Sequence, residues 1–257
     1  MLEFHDVRVT FRSKSKTTHA VDDISLRVDK GEFVSLVGPS GCGKSTLLNV
    51  AAGLVKPTHG EVRHEGKVLR GPQRAMGMVP QADSLFPWRT VLDNVTLGLT
   101  FRRTRKRDAR ARARELLARV GLEAFAAAYP DELSGGMRQR VNIARTLAIE
   151  PDVLLMDEPF GALDAFTRVD LQRMLLELCA QLHKTVVFVT HDVTEAIALS
   201  DRVVVMGARP SRIIRTFDIK MGEPRDPLRT QEWQDYARVH AAIVDELFGE
   251  VDSSVVR

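Results

Sequence analysis

At 257 residues the chain is long enough for one large domain or two small ones, and for a substantial buried core. With 44% apolar and 28% charged residues it has the composition of an ordinary soluble globular protein, which excludes wholesale disorder. A net charge of +3 is too slight to imply nucleic acid, and two cysteines, Cys42 and Cys179, exclude a disulfide scaffold and a four-cysteine zinc site.

The first residues carry charges where an export signal needs an apolar stretch, so nothing there directs secretion. No run approaches the roughly 18 apolar residues that cross a bilayer, so the chain is not expected to span one by itself. Short strands are predicted over Phe4 to Phe11 and Ile24 to Val28, joined through a polar loop at residues 13–18. Phe33 to Val37 is a nearly continuous apolar run that stops at a glycine-rich turn, after which Lys44 to Ala52 has helical composition. Similar runs recur at Val153–Met156 and Thr185–Val189, and the helix predicted between them carries Val169, Leu171, Leu175, Leu178 and Leu182 on one face, with Thr167 as its N-cap. Trp233 to Phe248 reads as one amphipathic terminal helix. Buried strands alternating with amphipathic helices predict a parallel α/β sheet, whose ligands collect at the carboxyl ends of the strands. Arg102 to Arg114 holds eight basic residues and one acid; with no aromatics interleaved, it reads as the solvated face of a helix continuing into Leu116, Leu117 and Val120 rather than a nucleic-acid or membrane patch.

The glycine-rich turn is Gly38-Pro39-Ser40-Gly41-Cys42-Gly43-Lys44-Ser45-Thr46, a P-loop in every required position with a strand before it and a helix after it. Its glycines let successive N–H groups point at a phosphate, and the helix N-terminus adds partial positive charge. Lys44 supplies a cation for the β/γ-phosphates and Ser45 a hydroxyl for Mg²⁺, while Cys42 is read as structural. Asp157, at the end of the Val153–Met156 strand, suits the metal, and Glu158 is the candidate base for an attacking water. Ser134-Gly135-Gly136 opens another helix: Ser134 can cap it while the glycines expose N–H groups to an anion. Two such helix ends and one P-loop suggest a nucleotide held between two copies of the chain.

Leu133 to Arg140, LSGGMRQR, resembles the signature motif of ATP-binding cassette (ABC) ATPases, and the remaining motifs stand in that family's order from the P-loop through Gln81, VLLMDEP, Ala162-Leu163-Asp164 and His191. The resemblance covers about residues 3–220. It implies a P-loop ATPase fold of ABC type: a mixed core sheet flanked by helices, an antiparallel β-subdomain, a helical subdomain near residues 85–150 and a short helical extension over 221–257. It also implies a head-to-tail dimer, with itself or a paralogue, that holds two MgATP at the seam. Phe11 matches the adenine-stacking aromatic, Gln81 the glutamine that touches Mg²⁺ and the water, Asp164 the seam aspartate, and His191 the γ-phosphate contact. Separate permease subunits and an external solute-binding protein are implied as partners, with this subunit peripheral on the cytoplasmic face of the inner membrane and no nucleic acid bound. The stretches Ser84–Val95 and Pro159–Arg168 are similar to the nitrate/sulfonate/taurine importer group, which implies a small anion as cargo. The additional β-domain of maltose-type importer ATPases is not expected. A soluble chromosome- or ribosome-associated ATPase has only Arg102–Arg114 in its favour, and a P-loop kinase has no use for LSGGMRQR.

Overall fold

A computed structural model describes residues 1–13, 16–222 and 224–255, so Lys14 and Ser15 of the polar loop expected at 13–18 lie outside the described residues. In chain order the elements are β1 (Leu2–Arg12), β2 (Thr17–Val28), β3 (Phe33–Val37), α1 (Lys44–Ala51), β4 (His59–His64), β5 (Lys67–Val68), β6 (Met76–Val79), α2 (Val91–Phe101), α3 (Lys106–Arg119), α4 (Gly135–Ala148), β7 (Val153–Asp157), α5 (Ala165–Leu182), β8 (Thr185–Val189), α6 (Val193–Leu199), β9 (Arg202–Met206), β10 (Ile213–Asp218) and α7 (Tyr236–Val255).

They form two sheets. One is antiparallel, in the order β2-β1-β4-β5; the other runs β10-β9-β3-β8-β7-β6 and is parallel except where β10 meets β9. Every residue of β3, β7 and β8 is buried, because both faces of these strands are covered, and this is why they read as unbroken apolar runs. On one side Leu47, Leu48 and Val50 of α1 pack with Leu155 and Val189 in a core shared with the antiparallel sheet. On the other, Phe188 and Leu154 join Leu171, Leu175 and the apolar residues of α2, α3 and α4. A third cluster seats Val239 and Ile243 of α7 against Val37, Ile197 and Val205.

Three expectations need correction. The α5 cap is Asp164, whose side chain accepts the Thr167 N–H at 3.0 Å, so Thr167 sits one turn inside the helix rather than at its start. The terminal helix begins at Tyr236, because Trp233 closes a 3₁₀ turn over Pro227–Glu232. β1 and β2 are longer than predicted: register shifts between Phe4 and Val7, and again around Val9, break the two-residue alternation by which a strand is recognised.

The order β3-β8-β7-β6 sets the chemistry. Four adjacent parallel strands deliver their carboxyl ends to one edge, and these ends lead into Gly38, Thr190-His191, Asp157-Glu158 and Pro80-Gln81. No helix among the described residues is long and apolar enough to cross a membrane.

Candidate functional site

The loop between β3 and α1 is shaped by contacts only glycine allows. A Cβ on Gly38 would lie 2.6 Å from the Met206 carbonyl oxygen, and one on Gly43 would lie 2.7 Å from that of Ala20. Gly43 also holds φ at +126°, closed to other residues without strain. The loop is therefore clamped between β9 and β2. Lys44 is 4% exposed, its ammonium donating to the carbonyls of Gly38 at 2.7 Å and Pro39 at 3.0 Å. The cation is satisfied by the loop itself. Cys42 is buried behind the loop, as a packing residue would be. A residue not anticipated from the sequence, Arg209, reaches back from the β9–β10 connection to donate to the Gly41 carbonyl; nothing local to Arg209 in sequence signals that contact.

One residue along, Ser45 donates from Oγ to Asp157 Oδ1 at 2.9 Å. Burial pushes the Asp157 carboxyl above its ordinary range; Ser45 and Lys44 pull it down and the neighbouring Glu158 adds to the rise. A hydroxyl and an under-compensated carboxylate beside a phosphate-binding loop form an oxygen donor set that fits Mg²⁺, whose charge would relieve that cost. Glu158 follows with φ at +44°, and its N–H is held by the Val189 carbonyl at 2.9 Å. This turn brings one carboxylate oxygen, Oε2, within 3.0 Å of His191 Nδ1 and 3.3 Å of Gln81 Nε2. Three candidates from separate strands thus meet on one atom. Gln81 donates its amide N–H to that oxygen, and His191 Nδ1 lies at hydrogen-bond distance from it.

Ser134 caps α4, accepting the Met137 N–H at 3.3 Å, and both Ser134 and Gly135 are exposed. Gly136 is buried against α5: a Cβ there would meet Thr167 Cγ2 at 2.3 Å. Gly135 opens on a cleft of about 380 Å³ that it shares with Gln81, Glu158 and His191, and no P-loop residue lines that cleft. Asp164 is exposed at the head of α5, held ionised by the Thr167 amide it caps, which lowers its pKa. Phe11, Ser40 and Thr46 complete the predicted set. Phe11 stands 46% exposed on β1 opposite Thr18, near the Ala20 segment that limits Gly43. A larger cleft of about 650 Å³ between α5 and residues 224–226 contains none of these residues, and its charged groups Arg173 and Asp226 already pair.

Comparison with known proteins places the arrangement. The family profile described as "ABC transporter" matches residues 21–161. The taurine import ATP-binding protein TauB of Rhizobium johnstonii is 48% identical over 85% of this chain and 84% of its own length. The aliphatic sulfonates import ATP-binding protein SsuB of Bacillus cereus is 43% identical, covering 87% and 88%. Among solved structures, the dimeric bacterial ABC transporter cassette MJ0796 superposes with a TM-score of 0.76 at 35% identity, over 86% of this chain and all of that one; it has also been solved as a dimer bound to ADP and phosphate.

Proposed function

Because this chain belongs to the ABC transporter family, we propose that it is the ATP-hydrolysing subunit of an importer, working as a head-to-tail dimer. The observation that carries the reading is the meeting of Glu158, His191 and Gln81 on one oxygen beside the Ser45–Asp157 pair. The triphosphate is held by the P-loop N–H groups, and Lys44 exchanges the Gly38 and Pro39 carbonyls for β/γ-phosphate oxygens. Ser45, Asp157 and Gln81 would hold Mg²⁺, which supplies charge neutralisation when bound. Glu158 accepts a proton as water oxygen bonds to the γ-phosphorus; the bond to the bridging oxygen breaks, and ADP leaves with that electron pair. His191 contacts the γ-phosphate beside Glu158. Phe11 supports the adenine, while Ser134, Gly135, Gly136 and Asp164 complete the site of a second copy.

Opening and closing of such a dimer is useful only when coupled to other subunits. We assign these as separate permeases with an external solute-binding protein, and the subunit itself to the cytoplasmic face of the inner membrane. The cargo is a small anion such as nitrate, a sulfonate or taurine, a reading supported by the names of the taurine and aliphatic sulfonate relatives.

Two variants test the assignment. Lys44→Ala loses charge-assisted phosphate bonds and should bind ATP about 10- to 100-fold more weakly by calorimetry. Glu158→Gln should bind ATP normally, accumulate a dimer and hydrolyse roughly 10²- to 10⁴-fold more slowly. In cells, Lys44→Ala should abolish uptake of the cargo. Unchanged ATP affinity, or rapid turnover without Glu158, overturns these roles, and undiminished uptake of taurine, alkanesulfonates and nitrate overturns the cargo.

A further inference from the structure

Glu195 is a carboxyl that the proposed reaction does not use. It lies on the first turn of α6, 6% exposed, in contact with the small hollow that Glu158, His191, Asp192 and Arg168 also line. Its polar contacts form a closed circuit around the His191 loop. Thr190, 2% exposed, sets its hydroxyl beside the Glu195 carboxyl and opposes the rise in its pKa. The same hydroxyl accepts the Asp192 N–H at 3.0 Å, and Asp192 Oδ1 in turn accepts the Glu195 N–H at 3.1 Å. His191 is the residue enclosed between those anchors.

The circuit also has one tie outward. Gln172 of α5, 5% exposed, donates from Nε2 to Glu195 Oε1 at 2.9 Å. α5 is the helix capped by Asp164, and a second link runs beside the first: Arg168 donates to the Leu163 carbonyl at 3.0 Å and lies 3.6 Å from Asp192. Burying a carboxyl is costly unless hydrogen bonds compensate it, which makes the bonds it keeps here a candidate for a geometric role. Two helices and one loop meet at this single side chain.

We propose that Glu195 is a positioning residue: through Gln172 it ties the first turn of α6, which Asp192 of the His191 loop caps, onto α5, so that His191 keeps its place against Glu158 as the Asp164 end of that helix engages a second copy. The proposal rests on the reading of His191 as a γ-phosphate contact. It requires no change of charge at Glu195, only the hydrogen bond from Gln172. An amide serves equally: a glutamine there still accepts from the Gln172 amide.

The test uses the full chain in steady-state ATP hydrolysis with Mg²⁺, together with histidine-ring NMR. Glu195→Ala should lower kcat on the order of 10- to 100-fold with KM for ATP unchanged, and should shift the His191 ring signals as Nδ1 loses its partner. Glu195→Gln should keep kcat within about threefold of the parent, since the bond from Gln172 survives. In the His191→Ala background the same Glu195→Ala change should cost nothing further. An unmoved His191 signal in Glu195→Ala, an equal loss of kcat in the His191→Ala background, or failure of Glu195→Gln to rescue each overturns the proposal. His191→Ala hydrolysing at the parent rate would instead sink the reading of His191, while the ring signals still report whether Glu195 positions it.

Discussion

Lys44, Asp157 and Glu195 are all buried charged side chains on or beside the carboxyl edge of the sheet, and each answers its burial differently. Lys44 folds onto carbonyls of its own loop, Asp157 takes a hydroxyl from Ser45, and Glu195 takes the amide of Gln172. For Glu195 the hydrogen bonds do not make up for burial, which pushes its carboxyl above the ordinary range, with nearby Asp192 adding to the rise and Arg168 opposing it. The sign of the stability effect follows. The folded state holds the Glu195 proton to higher pH than the unfolded chain, so stability falls as pH rises from the unfolded pKa to the raised folded one. Glu195→Gln removes that dependence. Its Tm relative to the parent should therefore climb as pH rises through this window and then level off in denaturation series; a gap that is flat or narrows across the window contradicts the raised pKa. At this scale the sequence was readable wherever a motif fixes several neighbours at once: the P-loop and the Asp157-Glu158 pair stand where their spacing put them. Arg209, Gln172 and Glu195 were not readable, because each acts through a contact between segments far apart in the chain.

Among the elements, the α4–α5 crossing carries a tight constraint. Gly136 lets the start of α4 approach Thr167 of α5, and any side chain at 136 must displace Thr167 Cγ2. Gly136→Ala gains about 1 kcal/mol of helix propensity but overpacks the contact at about 1–3 kcal/mol, so the clash outweighs the gain. The variant should melt a few degrees lower, and adding Thr167→Ser, which removes the offending methyl, should bring Tm back to the parent value or above. If Thr167→Ser gives no recovery, the two helices do not meet as described. Thr167 was mistaken for a cap because Thr167 and Asp164 both have cap chemistry, and only the bond from the Thr167 amide to Asp164 decides between them. Fully buried β3, β7 and β8 were legible as apolar runs, whereas β10, with only partly buried and exposed residues, and the two-residue β5 carry no periodic signal strong enough to read. The basic stretch is not one helix face: Arg102 to Arg105 lie in the turn between α2 and α3, and only from Lys106 do Ala109, Ala113, Leu116 and Leu117 pack inward while Arg107, Arg110 and Arg114 stay exposed.

For the molecule as a whole, the carboxyl edge gathers the P-loop, Gln81, Glu158 and His191 from four neighbouring strands, but the α4 end opens on the Glu158 cleft without reaching the P-loop. Ser134, Gly135, Asp164 and Phe166 are exposed in the single chain, Phe166 at 91%. On the proposed function, a second copy turned head to tail would give those surfaces their use, offering its own Ser134 N-terminus to the nucleotide on this P-loop and receiving the same in return. One chain's packing does not contain that part of the site; in the sequence, residue chemistry offered a second helix end suited to anions, and the family resemblance alone implied the head-to-tail seam. The direct test is the structure of the Glu158→Gln protein with MgATP. The account predicts two nucleotides, each between the P-loop of one copy and Ser134 of the other, with the Ser134 hydroxyl at hydrogen-bond distance from a γ-phosphate oxygen. A nucleotide bound by one copy alone, with Ser134 remote from every γ-phosphate, would contradict it.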